Sequence, residues 1–200
     1  EATRHDPMDG PLDEELAATL RDRMAAADLV EVVGHVDDPI ERTNSAAFRG
    51  ESRIGNFVAD AYRWATEADV GLQNSGGIRE GDALDGAVTI ADLVSVVPFQ
   101  EPVAVAEVTG AELRDVFREA SGANLAFGEL DWWHAHISGA SVTWDRSDHE
   151  LVDATVAGEQ VDPEATYTVA TTDYLFHTDH EFPTLDEDHR KGLHDTQYEV

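Results

Sequence analysis

Residues 71–82 read Gly71-Leu72-Gln73-Asn74-Ser75-Gly76-Gly77-Ile78-Arg79-Glu80-Gly81-Asp82 and place an amide, two adjacent glycines and a guanidinium directly after an apolar run. Adjacent glycines adopt backbone angles closed to other residues and let main-chain N–H groups approach a bound group closely. Arg79 adds a planar, permanently charged fork that suits phosphate or carboxylate. In an arbitrary sequence this would be only a tight connection beside a solvated arginine. The preceding strand and the scarcity of cations in this chain favour a binding turn.

The composition describes one acidic domain. Two hundred residues with 42% hydrophobic content suffice for a single ordinary core. The net charge of -29 comes from 42 acidic and 13 basic residues, of which only Lys191 is a lysine. This excess argues against nucleic acid and anionic membranes as partners, because both require a basic face. An acidic, lysine-poor surface is typical of proteins from extremely halophilic organisms, where salt screens the self-repulsion.

Cysteine is absent from the sequence, which excludes disulfides, cysteine-ligated zinc and a thiol nucleophile. No apolar run reaches the length of a membrane-spanning helix, so we expect no membrane insertion.

The order of apolar patterns predicts an α+β fold with a mixed sheet and packed helices, because helices and strands alternate only in part. Residues 1–39 are expected to form a lead-in helix and linker from a missing N-terminal domain, with apolar residues every fourth position from Leu12 to Met24. Residues 40–184 form the predicted domain, and residues 185–200 a polar, loosely packed tail. Further helices are predicted after the caps Ser52, Thr89 and Thr109, and strands near residues 29–36, 70–73, 103–108, 137–144, 151–156 and 167–171.

Several separated motifs occur in a defined order along the chain. They are Arg49 and Glu51 before Gly55-Asn56-Phe57-Val58-Ala59-Asp60-Ala61, then Asn74 to Arg79, Val97-Pro98-Phe99, Val108-Thr109-Gly110, Gly158 to Pro163 and Tyr167 to Thr171. In this order they resemble the C-terminal domain of the 5′-nucleotidase family, which also includes UDP-sugar hydrolases and cyclic-nucleotide phosphodiesterases. The resemblance covers roughly residues 40–183. It is specific because several motifs agree, and no single one would suffice.

The resemblance implies a division of labour between two domains. In that family an N-terminal metallophosphoesterase domain holds two divalent metal ions and performs hydrolysis, while the C-terminal domain binds the nucleoside part of the substrate. It therefore implies that this chain binds a nucleotide or nucleoside, carries no catalytic residue and no cofactor, and works with such a domain of the same polypeptide. It also implies an extracellular or cell-surface location.

Matching positions supply the expected site residues. Asn74 and Arg79 match the family turn whose asparagine and arginine contact the nucleotide, and Gly76 and Gly77 are the glycines between them. Phe99 matches the phenylalanine that stacks on the base, and Tyr174 falls where a second ring covers its other face. Stacking of a base on an aromatic ring contributes on the order of 1–3 kcal/mol and tolerates any base. As isolated residues, both rings would more often belong to an ordinary core.

Two further positions match less cleanly. Arg49 lies near another substrate-contacting arginine of the family, with Arg53 as a competing position. Asp179 could be the aspartate that accepts hydrogen bonds from ribose hydroxyls, although an ungapped match places His180 there. The family usually has Gly-Gly-Asp-Gly-Tyr/Phe at this point. The loss of those glycines leaves the loop shape and the substrate preference open.

Histidines raise a second possibility, a metal site. Asp131, His134 and His136 are close in sequence, as are His177, Asp179 and His180, and imidazole with carboxylate suits zinc. The metal-ligand motifs of the family belong to the other domain and are absent here. Solvated loop histidines are therefore the preferred interpretation, and we expect no metal site in this chain.

The preferred function is nucleotide or nucleoside recognition within a 5′-nucleotidase-like phosphoester hydrolase. One alternative is a free-standing nucleotide-binding module without catalysis, and another is a structural domain with a degenerate pocket. The sequence leaves open the base and whether the substrate is a mononucleotide, a cyclic nucleotide or a sugar diphosphate.

We expect folding to depend on salt, because screening must offset the repulsion among the excess carboxylates. Circular dichroism from dilute buffer to molar salt should show secondary structure increasing with salt concentration. Complete folding in dilute buffer would contradict the halophilic interpretation.

Overall fold

A computed structural model of the chain describes residues 12–43, 50–120, 135–145, 147–148, 150–178 and 181–197. Helices and strands occur along these ranges in the order α1 (Glu14–Ala26), β1 (Val32–Arg42), α2 (Arg53–Thr66), β2 (Val70–Asn74), β3 (Gly81–Thr89), α3 (Ile90–Val96), β4 (Pro102–Thr109), α4 (Gly110–Glu119), β5 (Ala135–Ser138), β6 (Ala140–Asp145), β7 (Glu150–Val156), β8 (Glu159–Gln160), β9 (Thr166–Thr172) and β10 (Arg190–Thr196). Short 3-10 turns follow β2 at Ser75–Gly77 and β9 at Asp173–His177.

The central sheet has the strand order β10-β4-β9-β2-β5. Strands β2 and β9 are parallel, whereas the pairs β10 with β4, β4 with β9, and β2 with β5 are antiparallel. A two-stranded sheet of β1 and β3 and a three-stranded sheet of β6, β7 and β8 complete the architecture. The predicted α+β fold with a mixed sheet is therefore confirmed.

Two apolar clusters hold these layers together, because residues along the central strands alternate between them. On β4, Ala104 and Ala106 belong to one cluster with Leu113 and Phe117 of α4, whereas Val103 belongs to the other. The second cluster is built from α2, α3, β1 and β3, and the first also includes β7. Each face of the central sheet is thus buried by a different set of elements.

Local capping signals set the helix starts as predicted. Thr89 and Thr109 each accept a hydrogen bond from the backbone N–H three residues on, and Asp92 and Glu112 reach back to the cap. The Ser52 hydroxyl accepts from the N–H of Gly55 at the start of α2. These hydrogen bonds join residues only three apart in the sequence, and the helix starts could therefore be predicted from the sequence alone.

Apolar residues at helical spacing in the sequence predict one buried face for α2, formed by Ile54, Phe57, Val58, Ala61, Trp64 and Ala65. This prediction is partly wrong. Of the residues expected on it, Ile54 and Val58 are buried, but Phe57 is 42% and Trp64 is 82% exposed. The buried stripe instead includes Tyr62, whose side chain is fully enclosed. Ile54, Val58 and Tyr62 follow one another at intervals of four residues, and the buried Tyr62 hydroxyl donates to Gln73 Oε1 at 2.7 Å and to Gln197 Oε1 at 2.9 Å.

Several predicted boundaries also differ. The sequence Asp37-Asp38-Pro39 predicts a turn. It lies instead inside β1, where the pairing with β3 is irregular between Val36 and Ile40. The strand expected over residues 137–144 is divided into β5 and β6 at Gly139, whose φ of +78° favours glycine. Strand β3 was not predicted.

The prediction that residues 185–200 form a loosely packed tail is wrong. Residues 190–196 form β10, which pairs with β4 at the edge of the central sheet, and Leu185 is buried. Its polar residues suit an edge strand that faces solvent. At the other end of the chain, α1 forms as predicted, although none of its residues is buried. Strand β1 crosses the boundary expected at residue 39, whereas the proposed division into domains stays a prediction.

The interpretation of the histidines as solvated loop residues is wrong for His136, which lies buried between α2 and the central sheet. His136 on β5 is completely enclosed, and a Cβ atom on Gly55 of α2 would lie 2.0 Å from its ring, so glycine permits this close packing. His136 Nε2 is 3.3 Å from the Ser75 hydroxyl, and Nδ1 has no hydrogen-bond partner within the described ranges. Burial lowers the pKa of His136 to about 4.

We expect His136 to make the fold sensitive to acid. Because its folded pKa is below the unfolded value of about 6.5, its contribution to stability is present above pH 6.5 and is lost as the pH falls towards 4. Between pH 7 and pH 5 the loss should be about 2 kcal/mol. Urea unfolding at both pH values should show a smaller decrease for His136→Gln than for the unchanged chain.

His194→Gln provides a matched control, since His194 lies exposed on β10. Equal pH dependence of the His136→Gln variant and the unchanged chain would contradict this role for the buried imidazole.

Candidate functional site

The candidate site lies at one edge of the central sheet. Because β2 and β9 are parallel neighbours, the segments that follow them emerge at the same edge. Strand β4 is antiparallel to β9 and pairs Val103 with Thr172, so the segment that precedes β4 reaches this edge as well. The topology thus brings together three segments that are far apart in sequence: the turn after Asn74, residues 97–101 and the turn that contains Tyr174.

The turn after β2 is built on buried amides. Gln73 is fully buried, and its Nε2 donates to the Asn74 carbonyl at 2.8 Å and to Asn74 Oδ1 at 2.7 Å. Its Oε1 lies 2.7 Å from the Tyr62 hydroxyl, whose pKa is raised by burial and, secondarily, by Glu101. A Cβ atom on Gly77 would lie 2.1 Å from Gln73 Nε2. Gly77 is therefore needed because the buried amide occupies the space of a side chain.

These contacts orient the Asn74 side chain. Since Gln73 donates to Asn74 Oδ1, the Nδ2 group of Asn74 is turned the other way. It donates to Glu181 Oε2 at 2.7 Å. Asn74 itself is only 4% exposed.

Arg42 supports the loop that follows Gly77 and contains Arg79, although no sequence signal identified Arg42 as part of the site. Arg42 is 4% exposed, and its guanidinium donates to the Arg79 carbonyl at 3.1 Å, to the Ser95 carbonyl at 2.7 Å and to the Ser95 hydroxyl at 2.8 Å. Burial lowers the pKa of Arg42, and Asp92 and Asp82 oppose that shift. Arg42 ties the backbone of Arg79 to α3. It could be found only from the structure because its partners are 37 and 53 residues away.

Arg79 and Phe99 lie against each other. The guanidinium carbon of Arg79 is 4.9 Å from the centre of the Phe99 ring, within the range of a cation–π interaction. The Arg79 N–H donates to the Val96 carbonyl at 2.8 Å, which joins the site turn to the end of α3. Phe99 follows that helix and is partly exposed.

Tyr174 stands on the 3-10 turn after β9 and is 42% exposed. Burial raises the pKa of its hydroxyl, with Glu181 and then Glu101 adding to the shift. Two carboxylates therefore lie close to this ring.

A pocket of about 320 Å³ is formed at this edge of the sheet, which we call the edge pocket. Its lining residues are Asn74, Gly76, Gly77, Arg79, Phe99, Glu101, Thr172, Tyr174, Glu181 and Gln197. The sequence predicted eight site residues, and six of them line the pocket: Asn74, Gly76, Gly77, Arg79, Phe99 and Tyr174. The other two, Arg49 and Asp179, lie outside the described residues, as do Asp131, His134 and His180. Arg53, the competing position for Arg49, bonds Asp38 at 2.8 Å.

Four lining residues were missed by the sequence reasoning. Thr172 ends β9, and Glu101 immediately precedes β4. Gln197 follows β10, in the region expected to be a loose tail, and its N–H donates to the Glu101 carbonyl at 3.2 Å. Glu181 lies in the stretch that departs from the family pattern, and this departure was the one available signal. Among the residues that the structure describes, the pocket lining therefore combines one guanidinium with two carboxylates.

Within the ranges that the structure describes, no group of three or more His, Asp or Glu side chains is placed to hold a metal ion. His177 instead lies 3.2 Å from Asp173 and 3.1 Å from Glu187. The described helices include none with both the length and the apolar character needed to cross a membrane.

Comparison with known proteins identifies the family of the chain. The family model "5'-nucleotidase, C-terminal domain" matches residues 32–187. Endonuclease YhcR of Bacillus subtilis (strain 168) is 31% identical over 146 residues, which are 72% of this chain and 11% of that protein. Protein UshA of Escherichia coli (strain K12) is 27% identical over 155 residues, which are 77% of this chain and 27% of that protein.

A solved structure shows the same fold. The 5'-nucleotidase precursor from Thermus thermophilus superposes with a TM-score of 0.75 at 23% identity, covering 96% of this chain and 39% of that one. The chain thus spans well under half the length of each of these proteins. Because the family model covers more than three quarters of the sequence, the chain belongs to the 5'-nucleotidase C-terminal domain family.

Proposed function

We propose that this chain is the nucleotide-recognition domain of a 5′-nucleotidase-like phosphoester hydrolase, with the base stacked between Phe99 and Tyr174. One observation carries the proposal: residues from three separate segments, selected by family resemblance, line one pocket. The stability of the fold does not explain why these residues meet in one pocket, because Arg79 and Tyr174 are exposed and add little to the core.

The pocket has the composition that a nucleoside requires. Phe99 and Tyr174 offer ring surface, and a base stacked on either contributes on the order of 1–3 kcal/mol. Asn74 presents an amide held by Gln73, so little conformational entropy is lost on binding. Arg79 is close to the Phe99 ring and can interact with the phosphate end of a ligand.

Hydrolysis itself is assigned to a separate N-terminal domain with two divalent metal ions, which would activate water and stabilise charge on the phosphoryl oxygens. The described residues offer no donor set for those ions. The role of this chain is to bind and orient the nucleoside. An extracellular or cell-surface location follows from the same assignment.

We expect the 200-residue chain to bind adenosine and AMP and expect Phe99→Ala to weaken that binding roughly 5- to 150-fold, equivalent to about 1–3 kcal/mol of stacking. Arg79→Ala should weaken AMP binding more than adenosine binding, because the arginine acts mainly on the phosphate. Isothermal titration calorimetry in molar salt measures both effects.

Phe57→Ala and Arg21→Ala are matched controls, since these residues are exposed on α2 and α1 and do not line the edge pocket. Absence of any nucleoside binding would favour a structural domain with a degenerate pocket. Equal losses in the control variants would contradict a specific role for Phe99 and Arg79.

The isolated chain should not hydrolyse nucleotides. Phosphate release from AMP, measured with added Mn²⁺, Mg²⁺ or Zn²⁺, is expected to stay at the rate without protein. Metal-dependent turnover by these 200 residues that is lost in Asn74→Ala would refute the division of labour. The same assay on a polypeptide that joins the chain to its catalytic domain distinguishes an enzyme domain from a free-standing binding module.

A further inference from the structure

One side of the edge pocket, which we call the polar wall, is formed by the side chains of Glu181 and Asn74. Glu181 lines the pocket together with Phe99 and Tyr174, and its Oε2 accepts from Asn74 Nδ2 at 2.7 Å. Glu181 is only partly exposed, and burial raises its pKa while the Asn74 hydrogen bond opposes the shift. A carboxylate withdrawn from water in this way gains from further hydrogen-bond donors.

The neighbours of Glu181 hold it in place. Phe182 is completely buried, and the Thr184 N–H and hydroxyl donate to the Glu119 carboxylate at 3.2 and 2.5 Å. Glu119 is itself 7% exposed and lies on α4. The segment after Glu181 is thus tied to the core. The Glu181 carboxylate is held in addition by its hydrogen bond from Asn74.

Glu181 retains capacity to accept hydrogen bonds. Its Oε1 bonds to none of the side chains or backbone groups that the structure describes, and each carboxylate oxygen can accept two hydrogen bonds. Next to it, Asn74 Nδ2 is a donor whose direction is set by Gln73. The wall therefore presents an acceptor beside a donor, in a pocket flanked by two aromatic rings.

We propose that Glu181 is a specificity-determining residue that selects bases carrying two adjacent N–H donors, as guanine does at N1 and N2. This inference rests on the proposed function, because it takes a base to lie between Phe99 and Tyr174. A carboxylate can accept two parallel N–H bonds at once, and charge-assisted pairs of this kind are stronger and more directional than single neutral bonds. The Asn74 donor suits the O6 acceptor of the same base.

Adenine and hypoxanthine satisfy this wall less well. Hypoxanthine has the O6 and N1–H groups of guanine but lacks the 2-amino group, so it leaves one carboxylate bond unmade. Adenine offers its 6-amino group alone and places the N1 lone pair beside it. A site that is built to hydrogen-bond a donor discriminates against ligands that lack it, because its own buried group is left unpaired.

The test compares guanosine, inosine and adenosine by isothermal titration calorimetry on the 200-residue chain in molar salt. Guanosine should bind about tenfold or more tightly than inosine or adenosine, the effect of one charge-assisted hydrogen bond. Glu181→Gln should remove this preference and leave inosine affinity within about threefold. Glu159→Gln, on the exposed strand β8, is the matched control and should keep the preference.

Other outcomes overturn the inference in distinguishable ways. Equal binding of the three nucleosides, weakened by Phe99→Ala, would refute the role of Glu181 and leave the proposed function intact. A preference lost in Glu101→Gln and kept in Glu181→Gln would assign it to the other carboxylate. Equal weakening of guanosine and inosine in Glu181→Gln would assign the carboxylate to the ribose hydroxyls. Failure of all three nucleosides to bind would refute the proposed function as well.

Discussion

The buried carboxamide of Gln73 connects helix α2, the central sheet and the turn that follows Asn74. Its oxygen meets the Tyr62 hydroxyl beneath α2, and its nitrogen donates to the backbone and side chain of Asn74. A buried polar group without such partners would cost about 1–3 kcal/mol, so each contact restricts the position of the others. The direction of the Asn74 amide and the requirement for Gly77 both follow from this one group.

Mixed strand direction explains why the pocket is found at one edge. The parallel pair β2 and β9 delivers two turns to the same edge, and the antiparallel β4 brings the segment containing Phe99 there. Arg42 then secures the loop from below by bonding main-chain and side-chain groups of α3 and the Arg79 carbonyl. The side chains that line the pocket are therefore carried by short connections anchored in buried structure, the arrangement that a preorganised binding site requires.

Predictability followed the range of the interactions. The starts of α2, α3 and α4 were predicted because their capping hydrogen bonds join residues three apart. The family motifs likewise located Asn74, Phe99 and Tyr174, which the structure brings into one pocket. Strand β10 escaped prediction because a polar edge strand has no strong apolar alternation, and its pairing partner β4 lies more than 80 residues away. Gln197, which this strand carries to the pocket, was missed for the same reason.

By itself, the sequence determined the acidic character, the helix starts, the mixed α+β class and six of the residues around the pocket, since composition, local capping and short motifs encode these directly. Only the tertiary structure decided that Tyr62 rather than Trp64 is buried, that Arg42 supports Arg79, and that Glu181 meets Asn74 across 107 residues. Those outcomes depend on which polar groups become neighbours once water is excluded. Pairings between distant polar groups leave no periodic trace in the chain, because each partner alone looks like an ordinary surface residue.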